Sequence, residues 1–163
     1  MSAKVGILMG SDSDMEIMGE AVNMLKDFGV EYELTVASAH RTPDRVEDFV
    51  GGAIGRGLKV IIAGAGMAAH LAGVCASKTT LPILGVPINA GPLNGLDALL
   101  STVQMPGGVP VASLAIGKAG AKNAGIFAVQ ILATSDEGLA EKLVEFKKDM
   151  AAKVIAKAEK IKG

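Results

Sequence analysis

The 163-residue chain has a net charge of −1, and half of its residues are apolar, one fifth charged and 3% aromatic. That length suits one ordinary domain rather than two, and the charge balance offers neither a basic surface for nucleic acid nor an acidic tail for a basic partner. The apolar share is 50% before the 21 glycines are counted, against about 45–50% with glycine included in an average domain, so part of it is expected at subunit interfaces and the chain is expected to be a homo-oligomer.

From the N-terminus, Met1-Ser2-Ala3-Lys4-Val5 leads into a strand-like segment with no signal peptide ahead of it. Val5–Met9 reads as a buried strand, and Gly10-Ser11-Asp12-Ser13-Asp14 as a turn rich in capping residues. Met15–Phe28 reads as a helix with Ile17, Ala21, Met24, Leu25 and Phe28 on one face, stopped by Gly29. Tyr32–Ala37 is the second predicted strand, and Ser38-Ala39-His40-Arg41 a loop. Thr42-Pro43 suggests an N-cap followed by proline at the first helical position, with the helix running to about Arg56. Lys59–Ala63 is a third strand, Gly64-Ala65-Gly66 a glycine turn, and Met67–Lys78 a small-residue helix. Cys75, the one cysteine, has no internal disulfide partner and reads as a small buried thiol.

Pro82–Val86 is a fourth strand, Pro87–Pro92 a loop, Leu93–Val103 a helix and Gln104–Gly108 a turn. Val109–Ile116 is a fifth strand and Ala119–Ala133 a further helix. Thr134-Ser135-Asp136-Glu137 resembles a capping box. Leu139, Leu143, Phe146, Met150, Val154 and Ile161 then mark one side of a long helix, about 135–162, rich in lysine and glutamate. It has no strand of its own to cover, so it packs either on a neighbouring subunit or on its own domain. No apolar run reaches about 18 residues without glycine, proline or charge, so no membrane span is expected and the cytoplasm is the expected compartment.

Strand and helix alternate five times, which predicts a parallel sheet covered by helices on both faces. The expected fold is α/β: a flavodoxin-like, doubly wound, five-stranded parallel sheet in one domain, 1–163, with a long extra C-terminal helix. Ligands in such sheets bind beyond the carboxyl ends of the strands, at the switch point in strand order. Three loops at those ends carry suitable chemistry. Ser11, Ser13 and Asp14 offer hydroxyls and a carboxylate near a helix start, suited to a phosphate or to ribose hydroxyls, although the same residues are common caps. Ser38, Ala39, His40 and Arg41 set a guanidinium fork, matched to phosphate, beside a histidine able to donate and accept protons near neutrality. Gly64, Ala65, Gly66, Ala68, Ala69, His70 and Leu71 let backbone approach a ligand closely and offer N–H groups to a carboxylate.

Several chemistries lack their motifs. No GK[ST] element or G-x-G-x-x-G loop points to ATP or a dinucleotide. Two histidines and one cysteine far apart form no metal motif, and no Gly-x-Ser-x-Gly elbow is present. Few aromatics and no tryptophan argue weakly against flavin binding. No cofactor is expected.

The loops Gly10-Ser11-Asp12-Ser13-Asp14 and Ser38-Ala39-His40-Arg41-Thr42-Pro43 resemble those of the PurE family, class I bacterial type. So do Ala68-Ala69-His70-Leu71, Gln104-Met105-Pro106 and Ala115-Ile116-Gly117, in order along about residues 5–133. The resemblance implies a cofactor-free mutase reaction of purine biosynthesis, in which N5-carboxyaminoimidazole ribonucleotide becomes 4-carboxy-5-aminoimidazole ribonucleotide. It implies that Ser11, Asp14 and Arg41 bind the ribose 5'-phosphate part with Ser13 and Ser38 nearby. His40 would be general acid and base, and the loop 64–69 with His70 would enclose the migrating carboxyl group. It also implies an octamer with sites at subunit junctions. The chain departs from the family's usual glycine at Met67 and usual proline at Ala72. A direct carboxylase using carbon dioxide and a non-catalytic nucleotide-binding module are the alternatives; the loops at 38–43 and 64–71 follow the mutase pattern, and keeping both His40 and Arg41 speaks against the module.

Overall fold

The structure, a computed structural model, describes residues 3–162; Met1 and Ser2 of the leader reading, and Gly163, lie outside the described residues. Among those residues, five parallel strands form one sheet in the order β2-β1-β3-β4-β5: β1 (Val5–Met9), β2 (Tyr32–Val36), β3 (Val60–Gly66), β4 (Ile83–Ile88) and β5 (Ala112–Ser113). The helices are α1 (Met15–Phe28), α2 (Pro43–Gly51), α3 (Ala53–Arg56), α4 (Leu71–Lys78), α5 (Leu96–Val103), α6 (Lys118–Ala133) and α7 (Glu137–Lys162).

The alternation of side chains along each strand divides the core in two. Val5, Ile7 and Met9 of β1, with Val60 and Ile62 of β3, join α1 and α6 in one buried cluster. Leu8, Ile61 and Ala63 face the other way, onto Val46, Val50, Ala53, Leu71, Ala72 and Cys75 of α2, α3 and α4. Cys75 is fully buried, and burial pushes its thiol up to about 12, so it stays a protonated, inert group. The fold is the doubly wound one expected. No helix among the described residues is long and apolar enough to cross a membrane.

Local differences have local causes. The glycine turn at 64–66 is instead the last part of β3, paired to Val86–Ile88 of β4, and α4 begins at Leu71 rather than Met67. The helix from Pro43 breaks at Gly52 into α2 and α3. The fifth strand, expected over Val109–Ile116, pairs only at Ala112–Ser113, although Leu114 and Gly117 still donate backbone N–H groups to Gly85 and Pro87. Helix α5 starts at Leu96, three residues later than expected, because Asn94 and Gly95 adopt left-handed backbone. Thr42 makes no side-chain cap: its Oγ1 accepts the Ser38 N–H at 2.9 Å and closes the loop instead. At α7 the cap is Asp136, whose carboxylate accepts the Leu139 N–H at 3.0 Å. The first half of α7 lies on its own domain, with Phe146 against Phe28 at 5.4 Å between ring centres and Lys142 Nζ donating to the Phe28 carbonyl. Met150, Val154 and Ile161, farther along, are exposed.

Candidate active site

Strand order reverses at β1, which has β2 on one side and β3 on the other. The loops leaving these three strands meet there around a cavity of about 440 Å³. Its size lies within the usual range for small-molecule sites.

One end of the cavity is polar and held together by its own hydrogen bonds. Ser11 N–H donates to Asp14 Oδ2 at 3.0 Å, Ser13 N–H donates to Ser11 Oγ at 3.4 Å, and the two serine hydroxyls are 3.0 Å apart. Ser11 and Asp14 therefore cap the short 3₁₀ turn that precedes α1 while still lining the cavity. Burial pushes the Asp14 carboxyl up, against the Ser11 N–H and the charge of Arg41, which favour its ionised form. Arg41 reaches across from the second loop, with Nη2 donating to the Gly10 carbonyl at 3.0 Å and Nε to Ser38 Oγ at 3.4 Å. These bonds fix the guanidinium beside the β1 loop and use only part of its donor fork.

His40 and His70, thirty residues apart in sequence, meet in the cavity. His40 Nε2 lies 2.8 Å from His70 Nδ1, with the rings edge to face at 4.9 Å between centres. At that distance one nitrogen donates and the other accepts, so the pair carries a single proton between the facing atoms. The contact fixes the orientation of both rings, as a partner on one ring nitrogen ordinarily does.

The other end is apolar and shaped by backbone. Ala65, Gly66, Met67, Ala68, Leu71 and Ala90 line it. A Cβ on Gly66 would fall 2.8 Å from Ala90 Cβ, so the strand ends β3 and β4 close on each other here only because residue 66 has no side chain. Met67 follows with φ 55°, a left-handed backbone that ordinarily costs an L-residue roughly 1–2 kcal/mol. Its side chain is exposed and reaches the turn at Gly91.

Of the residues singled out in the sequence, Ser11, Ser13, Asp14, Ser38, Ala39, His40, Arg41, Ala65, Gly66, Ala68, His70 and Leu71 line this one cavity. Gly64 and Ala69 do not. Gly64 is glycine because a Cβ there would run into Met18 on α1, and the N–H of Ala69 is taken by Ser101 Oγ at 2.9 Å. The N–H of His70 likewise goes to the Ala68 carbonyl, so these two groups are committed within the protein. Gly10, at the head of the first loop, and Ala90 also line the cavity, although neither is among the expected site residues. The available signal for Ala90 is its place in the loop after the fourth strand, at the carboxyl edge of the sheet. Among the described residues no group of three or more His, Cys, Asp or Glu is placed to hold a metal ion.

The model of the AIR carboxylase family matches residues 4–153. N5-carboxyaminoimidazole ribonucleotide mutase of Bacillus subtilis is 54% identical, covering 99% of each chain, and that of Thermotoga maritima is 53% identical, covering 97% of this chain and 91% of the relative. Among solved structures, Treponema denticola PurE2-S38D superposes with a TM-score of 0.90 at 28% identity over the whole of both chains. Treponema denticola PurE superposes at 0.87 with 29% identity over 99% of each.

Proposed function

The chain belongs to the AIR carboxylase family, and from that premise we propose that it is an N5-carboxyaminoimidazole ribonucleotide mutase that works through His40. The observation that supports this most is the division of a single cavity: polar groups at one end, a small apolar chamber at the other, and His40 with His70 among them.

The substrate is a ribonucleotide whose 5'-phosphate and ribose face Ser11, Ser13, Asp14, Ser38 and Arg41. Arg41 supplies the charge-assisted bonds, and Asp14 accepts from hydroxyls. The ring reaches toward the apolar end. There the bond between the exocyclic nitrogen and the carboxyl carbon breaks, and His40 gives that nitrogen its proton. The ring carbon attacks the released carbon dioxide, and His40 takes the proton that the carbon loses. One proton leaves and returns, so the step as proposed balances without a cofactor.

We further propose that the chain, 1–163, acts as one catalytic domain within a homo-octamer in the cytoplasm. Leu93, Leu96, Leu100 and Val103, at and before α5, and Val154, Ile155 and Ile161 on α7 are exposed large apolar side chains that neighbouring copies would cover. His40 and Arg41 are themselves exposed on a single chain, and a neighbouring copy would cover the mouth of the cavity. Light scattering at micromolar concentration is expected to give a mass near eight subunits, and a monomer would contradict the assembly. The activity is tested by following the absorbance change when purified protein meets N5-carboxyaminoimidazole ribonucleotide without ATP or added metal. Conversion is expected; carboxylation of free aminoimidazole ribonucleotide by carbon dioxide alone would replace the mutase with a direct carboxylase.

A further inference from the structure

The connection from β3 to α4, residues 67–70, carries His70 into the cavity, and its backbone is held from outside by α5, a helix that lines no part of that cavity. Within the connection the His70 N–H goes to the Ala68 carbonyl, so it ties nothing beyond the segment. The Ala69 N–H instead crosses to α5, where Ser101 Oγ accepts it at 2.9 Å. Ala69 is 1% exposed, so no solvent stands ready to replace that acceptor. The serine is fixed in its role. Its hydroxyl has one hydrogen, which points back into the helix, with Oγ 2.7 Å from the Asp97 carbonyl and 3.3 Å from that of Ala98. Its lone pairs are left for the amide.

The helix is itself firmly seated. Thr102, next in the chain, is buried, and a Cβ on Gly85 of β4 would run into its Cγ2. The Thr102 hydroxyl donates to the Ala98 carbonyl at 2.7 Å, so it needs no partner outside the helix and its methyl lies on the strand. A line of contacts therefore runs from β4 through Thr102 and Ser101 to Ala69, and so to His70, whose Nδ1 lies 2.8 Å from His40 Nε2. Both histidines are exposed, so packing around the rings does little to hold them, and backbone placement decides whether they meet.

We propose that Ser101 is a positioning residue for the reaction: its hydroxyl, by holding the Ala69 N–H, sets His70 at hydrogen-bond distance from His40. This rests on the reading of His40 as the proton carrier of a mutase. An acid–base group must lie within hydrogen-bond reach of the atom it serves, and a displacement of about 1 Å can cost about a hundred-fold in rate. The polar end does not share this anchor. Ser11, Asp14, Ser38 and Arg41 belong to the loops after β1 and β2 and bond within them. Loss of the Ser101 hydroxyl therefore falls on turnover and not on substrate binding.

The experiment compares wild type, Ser101→Ala and Ser101→Thr, the last keeping a hydroxyl that bonds the carbonyl four residues back. Turnover of N5-carboxyaminoimidazole ribonucleotide is measured at saturation, and binding of the product, 4-carboxy-5-aminoimidazole ribonucleotide, by calorimetry. Each protein is also labelled with ¹⁵N at histidine alone; the chain has two histidines, so a solid-state spectrum of the sedimented protein reads this one pair of rings. Wild type and Ser101→Thr are expected to show a cross-peak between the rings. Ser101→Ala is expected to lose it, with turnover down about ten- to a hundred-fold and product binding little changed. Ser101→Cys, which fills the same space with a much weaker acceptor, repeats the contrast if Ser101→Ala does not fold. Wild-type turnover in Ser101→Ala would overturn the proposal. So would a fall in turnover with the cross-peak intact, or one that Ser101→Thr shares, because the hold on Ala69 would then not be its cause. Product binding weakened in step with turnover would mean a general loosening of the site and would overturn it too. If wild type converts nothing, the mutase reading falls, and the ring cross-peak alone still decides whether Ser101 sets the pair.

Discussion

The two ends of the cavity are built by opposite means. At the polar end, side chains hold one another: Ser11, Asp14, Ser38 and Arg41 are joined by hydrogen bonds to each other and to the Gly10 carbonyl. At the apolar end almost nothing is held by side-chain bonds; the shape comes from Gly66 pressed on Ala90 and from the left-handed backbone of Met67. A site that must bind a charged nucleotide and also confine a small neutral molecule needs both constructions. Polar preorganisation lowers the reorganisation needed to bind charge, and close backbone packing shapes the apolar end without spending side-chain hydrogen bonds.

The largest expected effect falls between the two ends. His40→Asn should keep the fold, since His40 is exposed and among the described residues its ring bonds only to His70, and should lower turnover by about 10²–10⁴-fold, the usual contribution of a general acid–base group. Circular dichroism checks the fold, and steady-state kinetics the rate. A folded variant with more than half the wild-type rate would take the proton chemistry away from this residue. Arg41→Ala tests the polar end alone. Loss of a charge-assisted contact of about 1.5–3 kcal/mol should raise the substrate dissociation constant roughly ten- to a hundred-fold, with a smaller change in turnover at saturation. The reverse pattern would mean that Arg41 acts on the reacting atoms and that the ends are not separate in function.

The polar end was the more legible of the two, for the same reason that it is built of side chains. Serine, aspartate, histidine and arginine announce their chemistry by type, and their loops follow strands whose apolar runs are plain in the sequence. The apolar end is written in backbone angles. Gly64-Ala65-Gly66 read as a turn because two glycines in three residues ordinarily mark one; here they continue β3, and each is glycine for a packing reason, Met18 behind one and Ala90 beside the other. Such reasons involve residues far off in the chain. The His40–His70 contact was hidden likewise: both histidines were visible as candidates, but their 2.8 Å approach depends on β1 separating the strands that carry them. The fifth strand is shorter than Val109–Ile116 because Pro110 near its start has no N–H for the ladder, and past Ser113, among the described residues, only the N–H groups of Leu114 and Gly117 still reach β4.

Gly64→Ala probes whether the apolar end depends on this packing. Its added Cβ would meet the Met18 side chain, which is fully buried, so Met18 must shift within a filled core. Overpacking of this kind destabilises by about 1–3 kcal/mol. Urea unfolding should show that loss. Activity per folded molecule should fall less than in Arg41→Ala, because Gly64 supports the chamber from beneath without lining it. Unchanged stability would mean that α1 yields easily and that the base of the chamber is softer than its tight contacts suggest.

The smallest effect, and the one that speaks most directly to the polar end, is the pH dependence carried by Asp14. Burial is the main influence on this carboxyl and raises it above the ordinary value of 3.8, so the folded protein binds its proton more tightly than the unfolded chain does. Where the unfolded chain holds fewer protons than the folded one, stability falls as pH rises. Asp14 therefore favours folding when protonated, and that contribution is lost as pH climbs from the unfolded value through the raised folded one. Asp14→Asn removes the titration and keeps an oxygen able to accept the Ser11 N–H. Its unfolding free energy, compared with wild type at a series of pH values, should gain on wild type across that acid window and hold the gain at neutral pH. Substrate binding at neutral pH should weaken, since the amide presents no negative charge to ribose hydroxyls. A polar end that was preorganised only for its own stability would lose nothing in binding when Asp14 becomes neutral; a loss of binding alongside unchanged or improved stability means that the buried carboxylate is maintained for the ligand, against the folding preference of the loop that holds it.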